Sequence, residues 1–584
     1  MPGSSQQSWS LIYFAIGGGF ALAFLVAILA LSRARARPYW LFAVLAVPVV
    51  ALFANPDWRL YSAHALYHYS IVYQIFEHGV PPSLPLAAGV DLKYFYAIHF
   101  VIAQLMRLFA FPPAWAFATL GVACLLAMVL VLDRLARRVS DDIPYRWLVL
   151  TVILFGSAVL VGDPIGRALA NTGVIVREGR LDLLHKFIDI NNNQLGLVLY
   201  ALAFLGLVNL VGEGGRERAG LVQFATGYVL AGVFYPPAWL GVCIAAAVAV
   251  GQMVALTRPI PWRKIAQLSA IGVVGLAVLA PWLLSLTVGK SADSAIRPTL
   301  GLLARNAPIL AAALAVPVLL ALYKSELLVR HFRERPRLFG FLALSMIVLQ
   351  AAFLLVYLPT DAEYKMINFA SVPLGLMFAL VLRQMFDQVR VLATVVLFLV
   401  LLPFSQKIGT YLVFGWPVSD PATTAGRYIV DRVPAQQALY QWIAAESPDD
   451  AVFIDSYVTV PAFARRPLLI GTEFRRERGE LHVAGEMGLR KDGWGPVIDL
   501  MLQINGVDPD LAARRLAIAG EFLAETDRRL SDEVFAALRG EVPGRPVYVV
   551  ARHGAVITRL ARDRRLTSVF QNRAATLFRI AAAG

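Results

Sequence analysis

Apolar runs close to the length of a membrane crossing recur from the first residues to about residue 405, and nothing else restricts the fold as strongly. A helix needs about 20 mostly apolar residues to span the hydrocarbon of a bilayer, where its backbone groups find no water to bond. About twelve runs approach that length, at roughly 11–31, 39–54, 113–132, 146–162, 194–211, 220–235, 237–256, 266–287, 307–323, 338–357, 366–382 and 391–405. The expected fold class is therefore a polytopic α-helical membrane protein. Composition agrees, since 58% of the 584 residues are hydrophobic and 16% are charged, against roughly 25% charged in soluble chains. The first run has no small-residue cleavage site and is followed by Arg33, Arg35 and Arg37, so it reads as a retained span.

The formal charge of +14 admits nucleic-acid binding or membrane orientation, and its position decides between them. Short basic loops fall on every second connection: Arg33 to Arg37, Arg134 to Arg146, Arg216 to Arg218, Arg258 to Lys264, Lys324 to Arg337 and Arg383 to Arg390. Placed inside by the positive-inside rule, they put the N-terminus, the loops 55–112, 163–193, 288–306 and 358–365, and everything after 405 on the outer face. The charge is topological, and no nucleic-acid partner is expected. Residues 95–111 are apolar enough to be a further span. That would turn the Arg134 to Arg138 cluster outward, so they read as a helix in the outer interface carrying His99 and Arg107. Cys124 and Cys243 both lie inside apolar runs, which leaves no disulfide framework and no cysteine metal cluster.

Past residue 405 the sequence becomes charged and rich in turns, so the expected division is 1–405 for the membrane part and 406–584 for an outer soluble domain. Helical spacing at 434–446 and 508–539 alternates with strand-like AVFID at 451–455, VYVVAR at 547–552 and ATLFRIA at 575–581. The pattern is α/β. It contains no glycine-rich phosphate loop and no clustered His or Cys.

Residues 55–100 form a connection far longer than two spans need, dense in aromatic and titratable side chains. From Tyr61 to Phe76 it reads as an interfacial helix grouping Tyr61, His64, His68 and Tyr69 near one face. His64 and His68, four apart, have the spacing of half a metal site, while the plainer reading is a headgroup-level aromatic helix. Asp57 precedes that helix, where a carboxylate serves either as a helix start or as a catalytic base. Two outer segments echo each other: Lys186 and Lys365 each stand ten residues before the glycine of a Leu-Gly pair entering a span, with Ile two residues and Asp or Asn three residues after the Lys. A lysine at the outer mouth among amides suits a phosphate, and a lysine that snorkels to headgroups is the alternative. Glu363 and Asp361 beside Lys365 are its candidate partners or ion ligands.

HALYHYSIVYQIFEHGVPPSLPLAAGVDLKYFYAIHF resembles the first outer loop of dolichyl-phosphate-mannosyltransferase-like bacterial members of the GT-C class of membrane glycosyltransferases. Tyr-Pro-Pro at 235 to 237 and Glu363-Tyr-Lys365 resemble their later outer-loop motifs. The resemblance implies an enzyme moving a sugar from a polyprenyl-phosphate donor to an acceptor at the outer face of a bacterial inner membrane. An acid of the first outer loop would be the base. Asp57 is the best positional match, with Glu77 and Asp91 as alternatives, and Trp58 stands where the class often has a second acid. Lys186 and Lys365 would hold the donor phosphate, with His64, His68, Tyr94, Asn192 and Glu363 in contact with substrate. Direct displacement would invert the anomeric centre. Some relatives bind a divalent cation, which is therefore the candidate cofactor. The rival readings are a transporter or flippase of a lipid-linked saccharide and a non-catalytic saccharide-binding scaffold. The acids and lysines gather in outer loops rather than inside the spans, which favours surface chemistry over passage.

Overall fold

The computed structural model describes residues 3–45, 63–155, 187, 193–212, 216–286, 296–358, 363–414, 434–457, 459–471, 474–477, 480–483 and 501–581. Its helices are α1 (Gly3–Arg33), α2 (Ala63–His78), α3 (Ala97–Phe109), α4 (Pro113–Val139), α5 (Ile143–Phe155), α6 (Asn193–Val211), α7 (Glu217–Phe234), α8 (Pro236–Leu256), α9 (Trp262–Ser285) and α10 (Gly301–Tyr323). They continue with α11 (Ser325–Glu334), α12 (Pro336–Leu355), α13 (Tyr364–Gln388), α14 (Arg390–Phe414), α15 (Pro434–Glu446), α16 (Val460–Phe463), α17 (Pro509–Leu523), α18 (Asp532–Glu541) and α19 (Gly554–Ala561). The strands are β1 (Arg297–Pro298), β2 (Val356–Tyr357), β3 (Val452–Ile454), β4 (Phe474–Glu477), β5 (Glu480–Val483), β6 (Val547–Ala551), β7 (Leu566–Gln571) and β8 (Thr576–Ile580). They fall into two compact units: Met1–Trp58 with Phe117–Ser285 and Ala295–Pro417, and Arg59–Ala116 with Leu286–Ser294 and Val418–Gly584.

The first unit is a helical bundle of a multi-pass membrane protein. Among the described residues six helices, α4, α6, α8, α9, α12 and α13, are long and apolar enough to cross a bilayer, and α10, bent by 58°, makes a seventh if counted as one span. α5 is a shorter apolar helix, because the run expected at 146–162 continues outside the described residues. α6 and α13 are the most enclosed of the candidate spans and α9 the least. α9 turns Val273, Val274, Val278 and Leu284 outward, as a helix facing lipid does without penalty. α6 and α7 touch backbone to backbone: a Cβ on Gly206 would lie 2.5 Å from Phe224 N, and one on Gly227 2.6 Å from Leu199 O. Without a hydrophobic drive between helices in lipid, such close van der Waals contact is what holds them.

The basic connections meet at one end of this bundle. Buried Asp133 accepts from Arg146 at 2.6 and 2.8 Å and from Arg137 at 2.8 Å. Arg383 pairs with Asp142 at 2.6 Å, and Arg335 donates to the carbonyls of Arg138 and Val139. Three loops far apart in sequence are thus bonded to one another.

The second unit joins the long first loop to the C-terminal segment. The sequence groups this loop with the apolar part, whereas its described residues, from 63 to 116, share a compact unit with described residues after 434, where several of its backbone groups find their partners. Its sheet runs β3-β6-β8-β7, with β3 parallel to β6 and the other pairs antiparallel. β6 is buried throughout, as a central strand of Val, Tyr and Ala should be. Asp455, just past β3, takes both oxygens to Arg552, just past β6, at 2.9 and 2.8 Å. Residues 84–93 then dock as an extra layer. Ala88 N donates to Leu468 O, Gly471 N to Leu86 O, and Lys93 N to the Asn505 side chain. Ala88 O accepts from buried Arg515 at 2.7 Å, and Asn505 also reaches Tyr67 Oη at 3.0 Å. Burial opposes ionisation of Glu541, yet hydrogen bonds from Arg515 and Arg514 hold its carboxyl below the usual range.

Candidate functional site

At the end of the bundle away from the basic loops, the starts of four helices converge. α13 begins after Glu363, whose side chain is buried. One carboxylate oxygen accepts from Arg305 in the first turns of α10, and the other, also buried, has no hydrogen-bond partner. Arg305 in turn donates to Asn306, and Asn306 ties to the carbonyl of Phe353 at the end of α12. In the first turn of α13, Lys365 places its ammonium 5.0 Å from the centre of the Tyr235 ring and 6.0 Å from that of Tyr364. Tyr235 sits between α7 and α8, where Pro236 at the first helical position suits a helix start. Its hydroxyl donates to Asn193, the first residue of α6.

Glycine makes the site possible. A Cβ on Gly196 would sit 2.3 Å from Tyr235 Cδ1, so the ring occupies the place of the missing side chain. The glycine of the second echo, Gly375, admits Ile153 in the same way. The repeated Leu-Gly pairs are therefore packing sites in the structure. Lys186 and Asn192, like Asp57 and Asp361, lie outside the described residues. Asn368, one turn beyond Lys365, buries a side-chain oxygen with no hydrogen-bond partner, and Phe369 packs its ring 4.7 Å from that of Tyr200. The arrangement gathers first-turn amide groups, a cation and an arginine held by a buried carboxylate. First-turn N–H groups lack partners within their own helices and carry the positive end of the helix dipole, so the place is suited to an anion.

The second unit holds the remaining candidates. His68 and His99 are both buried, their rings stack at 4.9 Å, and His68 Nδ1 lies 2.7 Å from His99 Nε2. Burial lowers the His99 pKa to about 3 despite a hydrogen bond with the Tyr96 backbone, so at neutral pH the ring carries no charge. Tyr94 lies edge-on to His99 with centroids 6.1 Å apart, and tilted against His68 at 6.2 Å. The α2 backbone includes His64, whose side chain is outside the described residues, and His68 has its Nδ1 turned to His99. No three His, Cys, Asp or Glu side chains come together among the described residues, so none of them forms a cradle for a divalent cation. Of the alternative acids, Glu77 accepts from Arg465 at 2.8 Å, with that guanidinium 4.8 Å over Tyr73. Asp91 is exposed and pairs its backbone with Ser83. Arg107 on α3 caps α2 through the carbonyl of Phe76 at 2.7 Å. Reading the sequence misses Arg305 and Asn193, whose only signal is a place in the first turns of an apolar helix, while Asn368 is the Asn three residues after Lys365 in the second echo.

This is the fold of GT-C class membrane glycosyltransferases. The chain is similar to the crystal structures of ArnT from Cupriavidus metallidurans in the apo state (TM-score 0.54) and bound to undecaprenyl phosphate (0.51). Each is 13% identical, over 93% of this chain and 99% of the other. It is also similar to the arabinofuranosyltransferase AftD from mycobacteria, with TM-score 0.51 and 15% identity over 93% of this chain and 40% of that one. No family model matches the sequence, and neither does any curated protein.

Proposed function

We propose that this protein transfers a sugar from a polyprenyl-phosphate carrier to an acceptor at the outer face of a bacterial inner membrane. The observation that carries the proposal is the convergence of Asn193, Tyr235, Arg305, Glu363 and Lys365 at four helix starts. It occurs in a chain with the GT-C fold, and one solved neighbour, ArnT, was crystallised with undecaprenyl phosphate. In this reading about twelve spans cross the membrane, the N-terminus faces out, and 406–584 form an outer α/β domain.

The chemistry needs a stabilised leaving group and a deprotonated acceptor. As the bond between the anomeric carbon and the phosphate oxygen breaks, negative charge grows on the phosphate. Lys365, with Lys186 as the second cation, offsets it beside the positive ends of the helices. The acceptor hydroxyl attacks that carbon while its proton passes to the carboxylate of Asp57, and a single displacement inverts the configuration. Glu77 is the weaker alternative because its carboxylate already accepts from Arg465. Asp91, exposed, remains the other. His64, His68, Tyr94 and Asn192 are assigned to sugar or acceptor contact, where aromatic faces and neutral imidazoles suit a polyhydroxylated ligand.

The deciding experiment reconstitutes the protein in liposomes with radiolabelled polyprenyl-phosphate sugars and an envelope extract as acceptor. Label should leave the carrier with the wild-type protein and stay on it with the Asp57→Asn, Lys365→Ala double variant. Tight binding of every carrier without release of label from any would replace transfer with a binding role.

A further inference from the structure

At the basic end of the bundle, opposite the helix starts of Lys365, a cavity of about 260 Å³ opens among Arg137, Arg138, Arg216, Arg335 and Arg337, with Asn209 in its wall. It lies within the first unit, where the end of α4, the end of α6, and the residues starting α7 and α12 come together. Among the described residues no acidic side chain lines it. The nearby carboxylate Asp133 is already engaged by Arg146 and by Arg137, so the pocket keeps a surplus of positive charge. Arg335 is fixed by donating to the carbonyls of Arg138 and Val139, which aligns its planar head rather than leaving it to wander.

The second observation is Asn209. Its amide donates to Gln223 at 2.7 Å, while its oxygen, buried, has no hydrogen-bond partner. A buried acceptor left without a donor keeps an uncompensated desolvation penalty, and this one belongs to a residue of the wall beside a ring of donors. A ligand that suits both carries an anionic oxygen group and, next to it, a hydroxyl.

We propose that this cavity binds a glycerol phosphate group, with the arginines on the phosphate and Asn209 accepting from a glycerol hydroxyl. Guanidinium is the side chain best shaped for a phosphate, giving paired hydrogen bonds as well as charge. An anionic phospholipid of the leaflet next to the basic loops supplies this chemistry, and a soluble glycerol phosphate ester carries the same group. The site is separate from the transfer reaction and does not depend on it.

The test uses the full-length protein in neutral detergent, in a Lys365→Ala background so that the donor site does not contribute. Dioctanoyl phosphatidylglycerol, dioctanoyl phosphatidylcholine and glycerol 1-phosphate are each titrated calorimetrically. Phosphatidylglycerol should bind and phosphatidylcholine should not. Arg216→Gln with Arg337→Gln, whose side chains cap no described helix carbonyl, should weaken binding about 10- to 100-fold with the melting temperature of the lipid-free protein unchanged. Asn209→Leu should lower affinity for phosphatidylglycerol while leaving that for a phosphate without a hydroxyl, such as dimethyl phosphate, as it was. Glycerol 1-phosphate binding as tightly as the lipid would keep the site and make its source soluble, and much weaker binding would make it the membrane. Equal binding of phosphatidylcholine, or an unchanged affinity in the double arginine variant, overturns the proposal.

Discussion

The ammonium of Lys365 lies 5.0 Å from the centre of the Tyr235 ring, so a charge in the first turn of α13 is positioned by the residue that starts α8. Positioned in this way, the lysine faces the aromatic quadrupole of the ring. Lys365→Ala should weaken polyprenyl-phosphate binding by about 1.5 to 3 kcal/mol, the range of a charge-assisted hydrogen bond. Calorimetric titration of undecaprenyl phosphate into detergent-solubilised protein measures it, and an unchanged affinity reduces Lys365 to a snorkelling side chain.

Tyr235 stands where it does because Gly196 has no side chain. Gly196→Val should displace the ring, lose donor binding and destabilise the fold by about 1–3 kcal/mol, as overpacking does. Gly251, in α8 and open on all sides, provides the contrast. Gly251→Ala should be neutral or stabilising by about 0.5–1 kcal/mol, read as a rise in melting temperature. Equal behaviour of Gly196→Ala and Gly251→Ala would mean that the ring moves freely.

Asp57→Asn keeps shape and hydrogen bonding but removes the basic oxygen. Turnover should fall by about 100-fold to 10,000-fold with donor affinity little changed. Glu77→Gln, which also breaks the pair with Arg465, and Asp91→Asn should matter less. Loss in Asp91→Asn alone would move the base there.

The buried imidazoles give the second unit an acid limit. The folded pKa of His99, about 3, lies below the value of about 6.5 of an unfolded histidine, so its neutral form is the one folding favours. Stability is therefore full above pH 6.5 and declines as pH falls toward 3, by about 1.4 kcal/mol per pH unit from this group. Melting temperatures between pH 7.5 and 5 should show that slope, and His99→Leu should flatten it. The same slope in His99→Leu would assign the acid sensitivity to other groups.

The orientation is open to direct labelling. With Cys124 and Cys243 replaced by Ala, a cysteine at the exposed position Ser568 should react in spheroplasts with an impermeant maleimide, and one at exposed Ser325 should react only after lysis. The reverse pattern inverts the assignment of every loop.

Much of the bundle was legible because lipid imposes a one-dimensional code: a long apolar run is a helix, and the arginines between runs mark one end. The structure brings the loops of Arg138, Asp142, Arg335 and Arg383 together as that code implies. The run at 220–235 and the run at 237–256 are indeed two helices, parted at Tyr235. Glu363 and Lys365 were readable as polar residues at a span entry. Arg305 was not, since its pairing with Glu363 spans 58 residues, and no local period connects them. Nor was the pairing of His68 with His99. The docking of 84–93 was the least legible feature, because its partners are backbone groups such as Ala88 O and Leu86 O. Any residue offers these, and they leave no trace in composition.

Tyr67 meets Asn505 438 residues later in the chain, and nearly all the apolar helices of the first unit are encoded between them. During synthesis Tyr67 and Ala88 therefore emerge before Asn505 and Arg515, the partners they bond to, and wait while those helices are made. Asn505 and Arg515 arrive only after those helices. A stop codon or frameshift ahead of Asn505 would thus strand a segment near the beginning of the chain. Quality control that senses an open first loop would be reading, at the front of the protein, whether its end had been made.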